Sequence, residues 1–85
     1  MRTTTAADRV LKLARARRYA ATGEGRRIRL AHRLSLPDVA AGTGAGVTTI
    51  WRWEHDRHRP QGDAAIRWVE LLDALTGISS DEAAS

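Results

Sequence analysis

The residues best placed to do chemistry in this 85-residue chain fall between positions 42 and 60, in the stretch GTGAGVTTIWRWEHDRHRP. His55 and His58, with Asp56 between them, could offer metal ligands, and His32 lies further off. Their spacing falls in a loop with no further clustered ligand, so no metal and no other cofactor is expected. Gly42, Gly44 and Gly46 do not form a nucleotide-phosphate loop, because no strand precedes them and no Gly-Lys-Ser/Thr ending follows. The serines are confined to Ser35 and the tail, and no nucleophile stands beside a base, so neither an enzyme nor a small-molecule substrate is expected. What remains is recognition: hydroxyl, indole, guanidinium and imidazole groups at helical spacing behind a glycine-rich elbow.

Those groups need a scaffold, and hydrophobic periodicity supplies an all-helical one. In AADRVLKLARARRYAA, Ala6, Val10, Leu13 and Ala14 recur at the spacing of a packing stripe, and the helix stops at Thr22-Gly23. A second helix runs from about Glu24 through Arg33. Ser35 is the N-cap of a third, with Asp38 three residues on and Pro37 in the first turn, and this helix ends near Thr43. Gly44-Ala45-Gly46 breaks the chain before a fourth helix from Val47 to about His55. A polar loop then leads to DAAIRWVELLDAL, which starts at Asp63 and has Ala65, Trp68, Val69 and Leu72 on one stripe. Ile66, Leu71 and Leu75 spread beyond that stripe, a surplus that suggests either a partner or cover from the N-terminal helix. The fold class expected is all-α, a compact bundle of about five helices. Residues 1–22 form a basic N-terminal arm and helix, 23–76 the main domain, and 77–85 a flexible acidic tail.

Charge is distributed unevenly along this scaffold. Residues 1–33 hold ten Arg and Lys against two acids, a balance of +8, whereas residues 63–85 hold Arg67 against five acids, a balance of −4. Clustered cations release counterions when they meet phosphates, so the basic half reads as a polyanion-binding surface. There is no cysteine, hence no disulfide framework and no thiolate metal site. No apolar run approaches the roughly 20 residues of a membrane span, and the N-terminus lacks the apolar stretch of a signal peptide. A soluble, cytoplasmic protein that does not engage a membrane is the expectation.

A short helix, a three-residue glycine turn and a second short helix are the parts of a helix-turn-helix. From about Arg26 to Leu75 the chain resembles the Cro and lambda-repressor type of small phage or bacterial regulator. Ala40, Gly44, Ile50, Trp53 and Glu54 stand in that family's register, and EHDRHRP is similar to its Glu-x-Gly-x-x-x-Pro connection, with Asp56 where Gly is usual. The resemblance implies a lambda-repressor-like domain that binds double-stranded DNA and regulates transcription as a repressor, with the extra N-terminal helix as an addition. It also implies a structural ion pair between Arg29 and Glu54. Leu36 stands where the family commonly has a Gln that touches the DNA backbone. An apolar residue is usual where Gly25 stands, so the N-terminal helix or Tyr19 is expected to fill that part of the core.

Side-chain direction on the fourth helix sorts its residues. Ile50 and Trp53 face inward, so Val47, Thr48, Trp51, Arg52 and His55 face outward. With Gly46 at the helix start, Val47, Thr48, Trp51 and Arg52 are the candidates for base or groove contact. Arg52 has the planar fork that matches guanine. The family usually carries a small or polar residue where Trp51 stands, which leaves packing against the N-terminal helix and a DNA contact both open. Ser35, His55, Arg57, His58, Arg59, Arg15 and Arg18 are the candidates for phosphate contact. A homodimer on two half-sites about one helical turn apart is the expected assembly, with a monomer as the alternative. The competing readings are a protein-interaction module, such as an antitoxin or a phage anti-host factor, and a recombination directionality factor.

Overall fold

A computed structural model describes residues 5–77 and contains five helices: α1 (Ala6–Thr22), α2 (Glu24–Ala31), α3 (Leu36–Thr43), α4 (Val47–Glu54) and α5 (Gly62–Thr76). The protein is all-α, and no strand occurs among the described residues. Arg2 and the acidic tail expected from residue 77 lie outside the described residues, apart from Gly77 itself.

Local chemistry sets most of the boundaries. Capping boxes open α1 and α3: Thr5 Oγ1 accepts from the Asp8 amide, and Ser35 Oγ accepts from the Asp38 amide while Asp38 accepts from the Ser35 amide at 2.9 Å. Those hydrogen bonds from Ser35 hold the Asp38 carboxyl below its ordinary range. Gly23 and Gly44 close α1 and α3 at φ 77° and 79°, a region that favours glycine. The second helix ends at Ala31, short of the expected Arg33. There Arg33 takes φ 57°, and the Leu34 amide reaches back to the Arg29 carbonyl, the hydrogen bond that closes a Schellman turn.

The core is built around α5. Ala65, Trp68, Val69 and Leu72 have no exposed surface, and α1, α2 and α3 all pack on this helix. Ile66 is buried and Leu71 and Leu75 are partly buried. The surplus apolar surface of α5 is thus covered in part from within the chain, with Leu71 lying against Gly42 of α3. Trp68 packs against Trp53 of α4 and meets Tyr19 of α1 edge-on. Its Nε1–H has no partner in the protein, at a cost of about 1–3 kcal/mol. Removing an indole from water is worth roughly 4–6 kcal/mol, so burial wins. The same indole explains Gly25: a Cβ there would sit 2.8 Å from Trp68 Cζ2, so the space expected for α1 or Tyr19 belongs to α5.

The orientation of α1 departs from the sequence expectation. Val10 and Leu11 are 63% and 62% exposed, and Ala6 and Ala14 also face outward. The face turned to the domain runs through Arg9, Lys12, Leu13, Ala16, Tyr19 and Ala20, again at helical spacing. Ala16 and Ala20 are small enough to let α1 approach α5 closely, and polar groups set the register. Arg9 donates to Asp63 at 2.6 Å, Lys12 to Glu70 at 2.8 Å, and Arg15 pairs with Asp73. Asp73 is buried and also accepts from the Tyr19 hydroxyl at 2.6 Å. Burial pushes the Tyr19 phenol above its usual value near 10, against an opposing pull from Arg15. The Arg9 hydrogen bond holds Asp63 below the ordinary carboxylate range.

Candidate nucleic-acid interface

The turn between α3 and α4 is fixed by short-range hydrogen bonds. The buried Thr43 hydroxyl donates to the Ala40 carbonyl at 3.2 Å and accepts from the Ala45 amide at 3.2 Å. Arg67 of α5 donates to the Thr43 carbonyl at 2.8 Å, capping α3 from across the core. The fourth helix therefore leaves the turn in one direction. Val39, Ala40, Ile50 and Trp53 are buried together at its base.

Glu54, the single acid of α4, is turned into the molecule. Its two carboxylate oxygens accept from Arg29 Nε at 2.6 Å and Nη2 at 2.9 Å, with side-chain exposures of 10% for Arg29 and none for Glu54. Arg29 Nη1 also donates to the Leu34 carbonyl at 2.9 Å, so the guanidinium is engaged on three sides. The bond to Glu54 holds the guanidinium proton more tightly than usual, overcoming desolvation. A bidentate buried pair of this kind fixes the spacing of α2 and α4.

With that carboxylate removed, the outer face of α4 carries Val47, Thr48, Trp51, Arg52 and His55, all exposed. No acid lies in its first turn and no side chain caps its N-terminus at Gly46, in contrast to the boxes on α1 and α3. Gly46 has an ordinary φ and open space where a Cβ would be, so the glycine answers no steric need. It leaves backbone N–H groups facing outward at the positive end of the helix dipole. Trp51 lies outside the core at 41% exposure and stacks on His55, with ring centroids 4.1 Å apart and planes 19° from parallel.

After α4 the chain reverses through a second Schellman turn. Asp56 takes φ 55°, and the Arg57 amide bonds the Arg52 carbonyl at 2.7 Å. This left-handed position is one that favours glycine. Arg57, His58 and Arg59 follow, all exposed, and line a cleft with Asp56, Pro60, Ala21 and Arg17, whose Nε donates to the Pro60 carbonyl.

The phosphate candidates thus fall into two groups. His55, Arg57, His58 and Arg59 lie at the C-terminal end of α4, and Ser35 is exposed at the start of α3. Arg15 stands elsewhere, its guanidinium bound to Asp73; Arg18, exposed beside it, lines a shallow cleft with Tyr19 and Glu24. Among the described residues no three of His, Asp and Glu converge as a metal site, and no helix is long and apolar enough to cross a membrane.

The pairs Arg9–Asp63, Lys12–Glu70 and Arg15–Asp73 were not foreseen, although a signal existed. Asp73 follows Leu72 on the buried side of α5, where a carboxylate requires a partner. Comparison with known protein families, with curated proteins and with solved structures finds no match to this chain.

Proposed function

We propose that this chain is a sequence-specific double-stranded DNA-binding regulator of the helix-turn-helix kind, with α4 as the helix that enters the major groove. The observation that carries the reading is the outer face of α4. It is free of acids, open at its N-terminus, and continued by Arg57, His58 and Arg59, while Glu54 is neutralised inside. Amides at Gly46 to Thr48 and the side chains of Ser35, His55, Arg57, His58 and Arg59 hold phosphates, with Arg18 at the flank. Arg52 takes a guanine edge and Thr48 a neighbouring edge or phosphate. The family resemblance adds repression as the regulatory outcome.

Selection of bound duplexes from a random pool tests the reading. Enrichment of a defined site, with affinity falling linearly in log salt, is the expected result. No enrichment even at low salt would overturn it. The exposure of Val10 and Leu11 favours a compatible second element, a homodimer that joins α1 helices on a two-part operator. Light scattering should then report a dimer that Leu11→Glu converts to monomer.

A further inference from the structure

Five large apolar side chains are exposed among the described residues, and two of them, Val47 at 42% and Trp51 at 41%, stand one turn apart on the outer face of α4. His55 continues the same i, i+4 ridge. Its Nδ1 lies 2.9 Å from the Trp51 carbonyl, which can only accept, so Nδ1 carries the proton. The imidazole is therefore tied to the helix by one edge while its face covers the indole at 4.1 Å. This brace sets the Trp51 ring in one orientation before any ligand arrives, which lowers the ordering cost of binding. The adjacent ridge, Thr48 and Arg52, is polar. The face is divided lengthwise, apolar on one side and hydrogen-bonding on the other.

Nearly everything a major groove offers is polar. The exception on the base edges is the methyl group at C5 of a pyrimidine. We infer that the Val47–Trp51 ridge, braced by His55, reads a pyrimidine C5-methyl beside the base pair whose edge Arg52 takes; this rests on the DNA-binding reading above. The methyl is the shared chemistry of thymine and 5-methylcytosine. A wedge between base steps is the other use of an exposed aromatic, and it requires a side chain that projects from the protein. The stack on His55 holds the indole along the helix surface, where a groove wall can meet it.

The full-length chain and its selected duplex supply the test. Each thymine is replaced in turn by deoxyuridine, and each cytosine by 5-methylcytosine, changes that remove or add one methyl and nothing else. A roughly fourfold loss of affinity per methyl at one or two positions is expected on the first change, from the value of burying one such group. Such a loss identifies thymine as the source. A comparable gain on the second change without a loss on the first identifies methylated cytosine. In Trp51→Ala, whose helical content should be unaltered because the residue is exposed, the methyl dependence should vanish at the same positions. A selected site indifferent to every methyl change, or a methyl dependence that survives in Trp51→Ala, overturns the inference and leaves DNA binding standing. Failure to select any site overturns the reading beneath it.

Discussion

The first helix carries five cations and the fourth only Arg52, and the two use them in opposite ways. Arg9, Lys12 and Arg15 of α1 are bound to Asp63, Glu70 and Asp73 of α5, so three of the five cations of α1 are matched by acids of the chain's own last helix. The fourth helix buries its one carboxylate against Arg29 and leaves Arg52 without an acid beside it on the outer face. A steep charge gradient along a sequence therefore does not locate a polyanion site. It can equally record two elements that attract one another, and the number of uncommitted cations on one face is the better guide.

Removal of α1 should have the largest effect. Deleting residues 1–22 takes Ala16, Tyr19 and Ala20 from the core and uncovers Trp68, so the remaining chain should lose its cooperative melting transition altogether. A truncated chain that still melts cooperatively would return α1 to the role of a dispensable basic arm. Next in size is Glu54→Ala, which strands the buried Arg29 guanidinium and should cost about 3–5 kcal/mol. At ~4–8 °C per kcal/mol for a domain of this size, calorimetry would show it readily, and an unchanged melting temperature would refute the pair's structural role.

Tyr19→Phe comes third, because it removes a buried hydrogen bond to a carboxylate and should destabilise by about 1.5–3 kcal/mol. The raised phenol value adds a signature. A proton held more tightly in the folded state gives stability that is present below the unfolded value near 10 and lost as pH rises through the folded one. Wild type should therefore weaken above pH ~10, and Tyr19→Phe should weaken less over that window.

A pair of charge deletions separates the roles of the two helices. Arg52→Ala should cost about 1–3 kcal/mol of DNA affinity, concentrated at one base pair, with stability unchanged. Lys12→Ala, on a pair open to solvent, should leave both the affinity and the salt slope as they were. A larger affinity loss from Lys12→Ala than from Arg52→Ala would reverse the assignment of the two helices. The smallest expected gain belongs to Asp56→Gly. Relieving a left-handed non-glycine residue should raise stability by about 1 kcal/mol, read as a higher denaturant midpoint at constant slope.

Much of this was legible in the sequence, for identifiable reasons. Caps and breakers act within a few residues, so Ser35, Asp38, Gly23 and Gly44 fixed their helix ends without reference to the rest of the chain. The outward set on α4 followed once Ile50 and Trp53 were assigned to the core, because helical geometry leaves no other side for Val47, Thr48, Trp51, Arg52 and His55. Five helices and the α3–turn–α4 unit are thus local properties.

The rotation of α1 was not local. Two faces of that helix have apolar spacing, one through Val10 and Ala14, the other through Leu13, Ala16 and Ala20. The choice between them rests on groups 54 to 58 residues away. Periodicity ranks faces by hydrophobicity, whereas the packed molecule ranks them by what the opposing helix offers: carboxylates at Asp63, Glu70 and Asp73, and an indole at Trp68 that demands Gly25 opposite it. Which segments are helical and which residues α4 turns outward could be read along the chain, since both depend on hydrogen bonds and side-chain directions within a few turns. Which cations stay without a carboxylate partner depends on the packed molecule, because a charge is neutralised by whatever folding brings within hydrogen-bond distance of it.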